Sequence, residues 1–172
     1  MTRPGVPAVV AAVTAGILAL SLASPALAGG KPETVKIPVP EPVVFPAGLS
    51  CPFPVEWAFE SKNLQSKTFP VQANGDQLVR QTGHVMTTVT NLDSGASLVV
   101  NTSDRQDFLF HADGTIEVTI NGGALAAYYP TDLGGPAMYY FKGHLHDVVD
   151  SEFTLVSHQF SGRSTDLCAA LS

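Results

Sequence analysis

The stretch RQDFLFHADGTIEVTIN, residues 105–121, decides the fold class. Phe108 and Phe110 alternate with polar neighbours, and Ile116, Val118 and Ile120 do the same after the turn residues Ala112, Asp113 and Gly114. Apolar residues two apart fall on one face of a strand, so this is a β-hairpin. A two-residue Asp113–Gly114 loop would set Phe110 opposite Glu117 and mix the faces. A three-residue Ala112–Asp113–Gly114 loop, with Gly114 left-handed, sets Phe110 opposite Ile116 and Phe108 opposite Val118. The second register keeps one face apolar and is the one expected. Leu109, His111, Glu117 and Thr119 then share the other face.

The same punctuation extends in both directions. Short β-rich runs are expected at 55–60, 85–91, 96–101, 124–129, 138–141, 144–150 and 153–160. Turn residues separate them: Asn74-Gly75-Asp76, Asp93-Ser94-Gly95, Asn121-Gly122-Gly123, the longer loop 130–136, and Ser161-Gly162. No apolar 3.6-residue period persists for three turns, so almost no helix is expected beyond residue 28. Closely spaced strands without helical crossovers imply an all-β, single-domain antiparallel meander, closed as a small barrel or folded as a sandwich. No internal repeat appears.

The chain has 172 residues. It opens with Arg3, an apolar run over 9–22, and Ala26-Leu27-Ala28 after Pro25. A basic start, a short apolar core and a small-x-small site make residues 1–28 a signal peptide. The run is shorter than the ~20 apolar residues that span a bilayer. The protein is therefore expected to be secreted and extracellular, with no membrane span in the mature chain. Residues 29–50 carry Pro32, Pro38, Pro40, Pro42 and Pro46, so a disordered, polyproline-like linker is expected there. Residues 51–172 are the β domain, large enough to hold its own core.

The formal net charge is −6, and no run of Lys or Arg occurs. Nucleic acid and anionic membranes, which need clustered cations, are therefore not expected as partners. The cysteines are Cys51 and Cys168. Two cysteines in an exported chain, with no CxxC, point to a disulfide between the ends of the domain.

Several phrases form an ordered set: Cys51-Pro52-Phe53-Pro54-Val55, Thr82-Gly83, Thr90-Asn91 with Ser94-Gly95 and Ser97, Asn101 with Ser103, the Asp113-Gly114 turn, and the closing run 166–171. In these the chain, over about 49–171, resembles a group of small secreted, uncharacterised actinobacterial proteins. The resemblance implies a secreted all-β domain with paired terminal cysteines. It brings no activity, cofactor or catalytic residue.

Among candidate chemistries, His144 and His146 stand two apart on one strand and so share a face, the minimum for a shared zinc, copper, iron or nickel ion. His84, His111, His158 and Asp107 are the available third ligands. The bland reading is two exposed strand histidines. Tyr128, Tyr129, Tyr139 and Tyr140 flank the 130–136 loop. Alternation lets one of each pair line a barrel mouth that holds a small apolar ligand, while the bland reading is core packing. A serine hydrolase lacks its Gly-x-Ser-x-Gly elbow. The glycosidase candidates Glu56, Glu60, Glu117 and Glu152 fall on polar faces or in turns. No phosphate loop or dinucleotide fingerprint appears. No catalytic residue and no cofactor is assigned. The expected function is a non-catalytic extracellular module binding a small apolar ligand or a cell-envelope component. The alternatives are a metal-dependent β-barrel enzyme using His144 and His146, and a structural cell-surface protein.

Overall fold

A computed structural model describes residues 30–172. The expected signal peptide lies outside the described residues. The elements are β1 (Glu33–Lys36), β2 (Val43–Phe45), β3 (Val55–Thr68), β4 (Gln77–Asn91), β5 (Ser97–Asn101), β6 (Asp104–Phe110), β7 (Ile116–Tyr128), β8 (Ala137–Val149), β9 (Leu155–Asp166) and the single helical turn α1 (Leu167–Ala170). All the strands pair antiparallel in one sheet ordered β1-β3-β4-β6-β7-β8-β9, with β2 on β3 and β5 on β4. β1 and β9 end this path without meeting, so the sheet is an all-β antiparallel meander and not a closed barrel.

The deciding hairpin has the expected register. Phe108 stands opposite Val118 and Phe110 opposite Ile116, and Gly114 turns the chain at φ 89°. Two other expected turns are strand interiors instead. Asn121-Gly122-Gly123 lies inside β7 and Ser161-Gly162 inside β9, and β8 runs unbroken through Gly143. Gly122, Gly143 and Gly162 face one another in register, with φ of 141°, 153° and 145°. Only glycine occupies that region readily, so the strands bend along this line without ending. Sequence punctuation alone does not separate a bend from a turn.

The bend lets one sheet enclose two cores. One gathers Phe45, Val55, Trp57, Val89, Leu125, Ala127, Met138 and Leu167. The other gathers Val79, Phe108, Val118, Ile120, Ala126, Phe141, Leu145 and Leu155. In β7 the run 123–128 is buried on both faces. Its alternate residues feed one core and then the other, which is why it reads as nearly continuously apolar.

Residues 29–50 were expected to be an unpacked linker, and the structure corrects this. β1 pairs with the end of β3 and β2 with its beginning. Phe45 is buried, its ring 4.6 Å from that of Trp57. The prolines fall before, between and after these two short strands, so the lost donors lie outside the ladders. The Cys51–Cys168 disulfide forms, with Cα atoms 5.3 Å apart. It anchors α1, whose Leu167 is fully buried beside Leu171. The Asp166 side chain caps α1 by accepting from the Ala169 amide at 3.0 Å.

Candidate functional site

Strand alternation sorts each strand of the β6–β7–β8–β9 sheet into inner and outer residues. The inner ones line the second core. The outer ones form two parallel rows that cross seven strands. One row is Thr34, Lys67, Arg80, Asp107, Thr119, His146 and Gln159; the next is Lys36, Gln65, Thr82, Arg105, Asn121, His144 and Ser161. Every side chain in both rows is polar.

Asp107 ties the middle of this face together. Arg80 grips it with two hydrogen bonds, of 2.6 and 2.9 Å, and Arg105 reaches it from the same strand. Burial works against the Asp107 charge, but the two guanidinium groups win and hold its pKa down at about 2. Lys67 and Arg80 also lie 5.1 and 5.5 Å from the centre of the Phe69 ring. His111 closes the hairpin end of the face, between Asp76 at 3.2 Å and Glu117 at 3.0 Å. Desolvation would lower its pKa, yet these carboxylates raise it.

His144 and His146 do share this outer face, as alternation predicts. Each is engaged by its cross-strand partner. His144 Nδ1 lies 2.8 Å from Asn121 Oδ1, and His146 Nδ1 lies 3.2 Å from the Thr119 hydroxyl. Among the described residues no three His, Cys, Asp or Glu side chains converge as a metal site. Of the third-ligand candidates, Asp107 is held by two arginines, His111 by two carboxylates, and His158 points to the inner face opposite Asp147.

The four tyrosines separate as alternation requires, but into the cores and not into a barrel mouth. Tyr129 is buried in the first core and Tyr140 packs against it. The Tyr140 hydroxyl donates to the Asn101 carbonyl at 2.9 Å. Tyr128 and Tyr139 belong to the second core, with ring centres 6.2 Å apart. An open sheet has no mouth to line, so the expected apolar ligand pocket is not formed by these residues.

A cluster absent from the sequence reading joins Tyr128, Asp147 and His158. His158 Nδ1 donates to Asp147 Oδ1 at 2.7 Å, and the Tyr128 hydroxyl lies 3.2 Å from the same nitrogen. Asp147 is 5% exposed. Burial raises its pKa, opposed by the His158 contact. Burial raises that of Tyr128 too, with the Asp147 charge adding to it. The imidazole packs between Tyr128 and Phe141, at 5.7 and 5.6 Å. This arrangement orients a histidine at the rim of the second core. A regular ladder carried back from the Asp150 turn would have set Asp147 opposite Ser157; the irregularity between Val148 and Val149 moves the register by one residue and brings Asp147 opposite His158, and no local signal in the sequence marks that shift.

A second unforeseen feature is a cavity of about 20 Å³ beneath the Ile37–Pro40 strap, lined by Leu64, Val85, Thr102, Asp104 and Gln106. That is room for about one water. Gln106 is 4% exposed. Its Nε2 donates to Asp104 at 2.8 Å, and its Oε1 has no partner among the described residues. Burial pushes the Asp104 carboxyl up to about 7, against the pull of that hydrogen bond. A cavity this small suits a bridging water and not a substrate.

Comparison of the chain with protein-family models, curated proteins and solved structures gave no match.

Proposed function

We propose that this chain is a secreted, non-catalytic extracellular module that binds a cell-envelope component through the outer face of its sheet. The observation that carries the reading is the pair of polar rows running across seven strands. Side chains on long paired strands are held at fixed spacing, which suits recognition of an extended partner. Tyr128 and Tyr129 are buried and Tyr139 and Tyr140 pack half-buried against the cores, which leaves no support for a small apolar ligand at the 130–136 loop. Secretion rests on the N-terminal signal, and the Cys51–Cys168 bond suits an oxidising compartment. In the described residues no helix is long and apolar enough to cross a membrane.

The test is a pull-down of the mature chain with insoluble envelope material from an actinobacterial host. The expected result is saturable retention that survives washing at low salt. Protein left wholly in the supernatant would refute the module and favour a purely structural role. A metal enzyme using His144 and His146 is the competing reading, drawn from their shared face. Native mass spectrometry without chelator would support it by showing one metal ion that is lost in His146→Ala.

A further inference from the structure

The chain is acidic overall, with a formal charge of −6. Its cations are nevertheless not spread evenly. Of nine Lys and Arg residues, Lys36, Lys67, Arg80 and Arg105 fall in the two outer rows. Lys62, Lys142 and Arg163 stand exposed at the margin of these rows. Lys62 stands opposite His84, two residues from Thr82, and Lys142 stands opposite Arg163, two residues from His144. Four of the nine therefore share one face, and three more stand exposed at its margin. Among the described residues only Arg80 and Arg105 of these are ion-paired, both to Asp107. Lys36, Lys62, Lys67, Lys142 and Arg163 stand exposed.

The carboxylates are placed differently. Asp76, Asp93, Asp113, Asp150 and Glu152 sit in turns, and Asp104 and Asp147 face inward. Glu60, Asp107 and Glu117 interleave with the cations, Asp76 reaches the hairpin end of the face through His111, and Glu56 lies farther along β3. No run of basic residues exists in the sequence, so the expectation against nucleic acid and anionic membranes rested on spacing along the chain. Strand register supplies the cluster that spacing lacked. An excess of unpaired cations on one face of an acidic protein attracts and orients a partner of opposite charge.

We propose, resting on the module reading above, that this face docks a linear anionic polysaccharide of the cell envelope. The partner carries phosphodiester or carboxylate groups. Neighbouring strands lie roughly 5 Å apart and same-face residues along a strand roughly 7 Å apart, so the cations form a lattice at the scale of a charged sugar repeat. A polymer laid across the strands meets Lys36, Lys67, Arg80 and Arg105 in turn, with Asn121, Thr119, His144 and His146 next along the rows as hydrogen-bonding groups.

The experiment measures affinity of the mature chain for poly(glycerol phosphate) and for polygalacturonate, with neutral dextran and single-stranded DNA alongside. The variant Lys36→Gln/Lys62→Gln/Lys67→Gln/Lys142→Gln removes four exposed charges and breaks no ion pair among the described residues. The matching Lys→Arg quadruple controls for fold. We expect binding to one of the two anionic polymers and none to dextran. Affinity should fall about 30-fold or more in the Gln quadruple and be kept in the Arg quadruple, and it should weaken steeply with salt. Equal binding by wild type and the Gln quadruple would overturn the proposal. Retention on envelope material without binding to either polymer would overturn it too, while leaving the module reading intact. Tighter binding of DNA than of both polymers would overturn the assignment to the envelope. Loss of envelope retention altogether would remove both readings.

Discussion

Replacing Asp104 by asparagine isolates the cost of keeping one carboxyl under the Ile37–Pro40 strap. In the fold its pKa is raised to about 7, chiefly by burial, from the ordinary aspartate value of 3.8. A raised carboxyl pKa means that the fold favours the protonated form. Below pH 4 both folded and unfolded chains hold the proton, and the associated stability is fully present. Between pH 4 and 7 the unfolded chain has released its proton while the fold retains it, so stability falls as pH rises. About three pH units at roughly 1.4 kcal/mol each set a ceiling of about 4 kcal/mol. Asp104 is only half-buried and adjoins a water-sized cavity, so solvent relieves part of this and about 2 kcal/mol is the working figure. The asparagine carboxamide still accepts from Gln106 Nε2 through its oxygen, and it cannot ionise. Thermal melts of wild type and Asp104→Asn should therefore run close together at pH 4. By pH 8 they should separate, with the variant about 6 °C higher. A difference in Tm that stays constant from pH 4 to pH 8 would refute the argument.

Three other outcomes follow from the geometry. Cys51→Ser/Cys168→Ser opens a link across 117 residues, and in the chain-entropy picture this costs about 4–5 kcal/mol; urea titration that left the midpoint unmoved would contradict it. Gly143→Ala places a Cβ against the Ser161 carbonyl oxygen at a φ of 153°, so chemical denaturation should show a loss of about 2–4 kcal/mol, whereas substitution of an ordinary strand glycine costs nothing of that kind. Asp107→Asn removes a carboxylate whose pKa is held at about 2, its arginine partners overcoming burial. A depressed pKa contributes stability above pH 4 that disappears as pH falls toward 2, and at this partly exposed site that is about 1 kcal/mol. Melts between pH 2 and 5 should be flatter in the variant, and an unchanged slope would count against the pairing.

Alternation was enough to read the core of the Arg105–Asn121 hairpin from sequence, because only one loop length kept Phe108, Phe110, Ile116 and Val118 on a common face. The same logic placed His144 with His146, and it separated the tyrosines into opposite faces. It could not say where those faces lead. Tyr128 and Tyr129 both end in cores because β7 has protein on each side, a tertiary fact with no local signature. Gly122, Gly143 and Gly162 looked like turn residues because glycine marks bends and turns alike. The prolines of 29–50 suggested an unpaired chain, yet short ladders fit between them. The basic face was invisible for a related reason. Its members are 5 to 37 residues apart in sequence and become neighbours only through a register that spans seven strands.

The doubly buried half of β7 bears on how the molecule comes apart. Leu125 and Ala127 belong to one core, and Ala124 and Ala126 to the other. Neither core can open alone without stripping one side of that segment. The two cores are therefore energetically one unit, despite being separate in space. Amide hydrogens along 123–128 should exchange only through global opening, and they should be the last to be lost. Fraying belongs at the two ends of β1, which has a single neighbour and no buried residue. A protease acting on the native protein should trim those margins while leaving the molecule standing around its shared central strand.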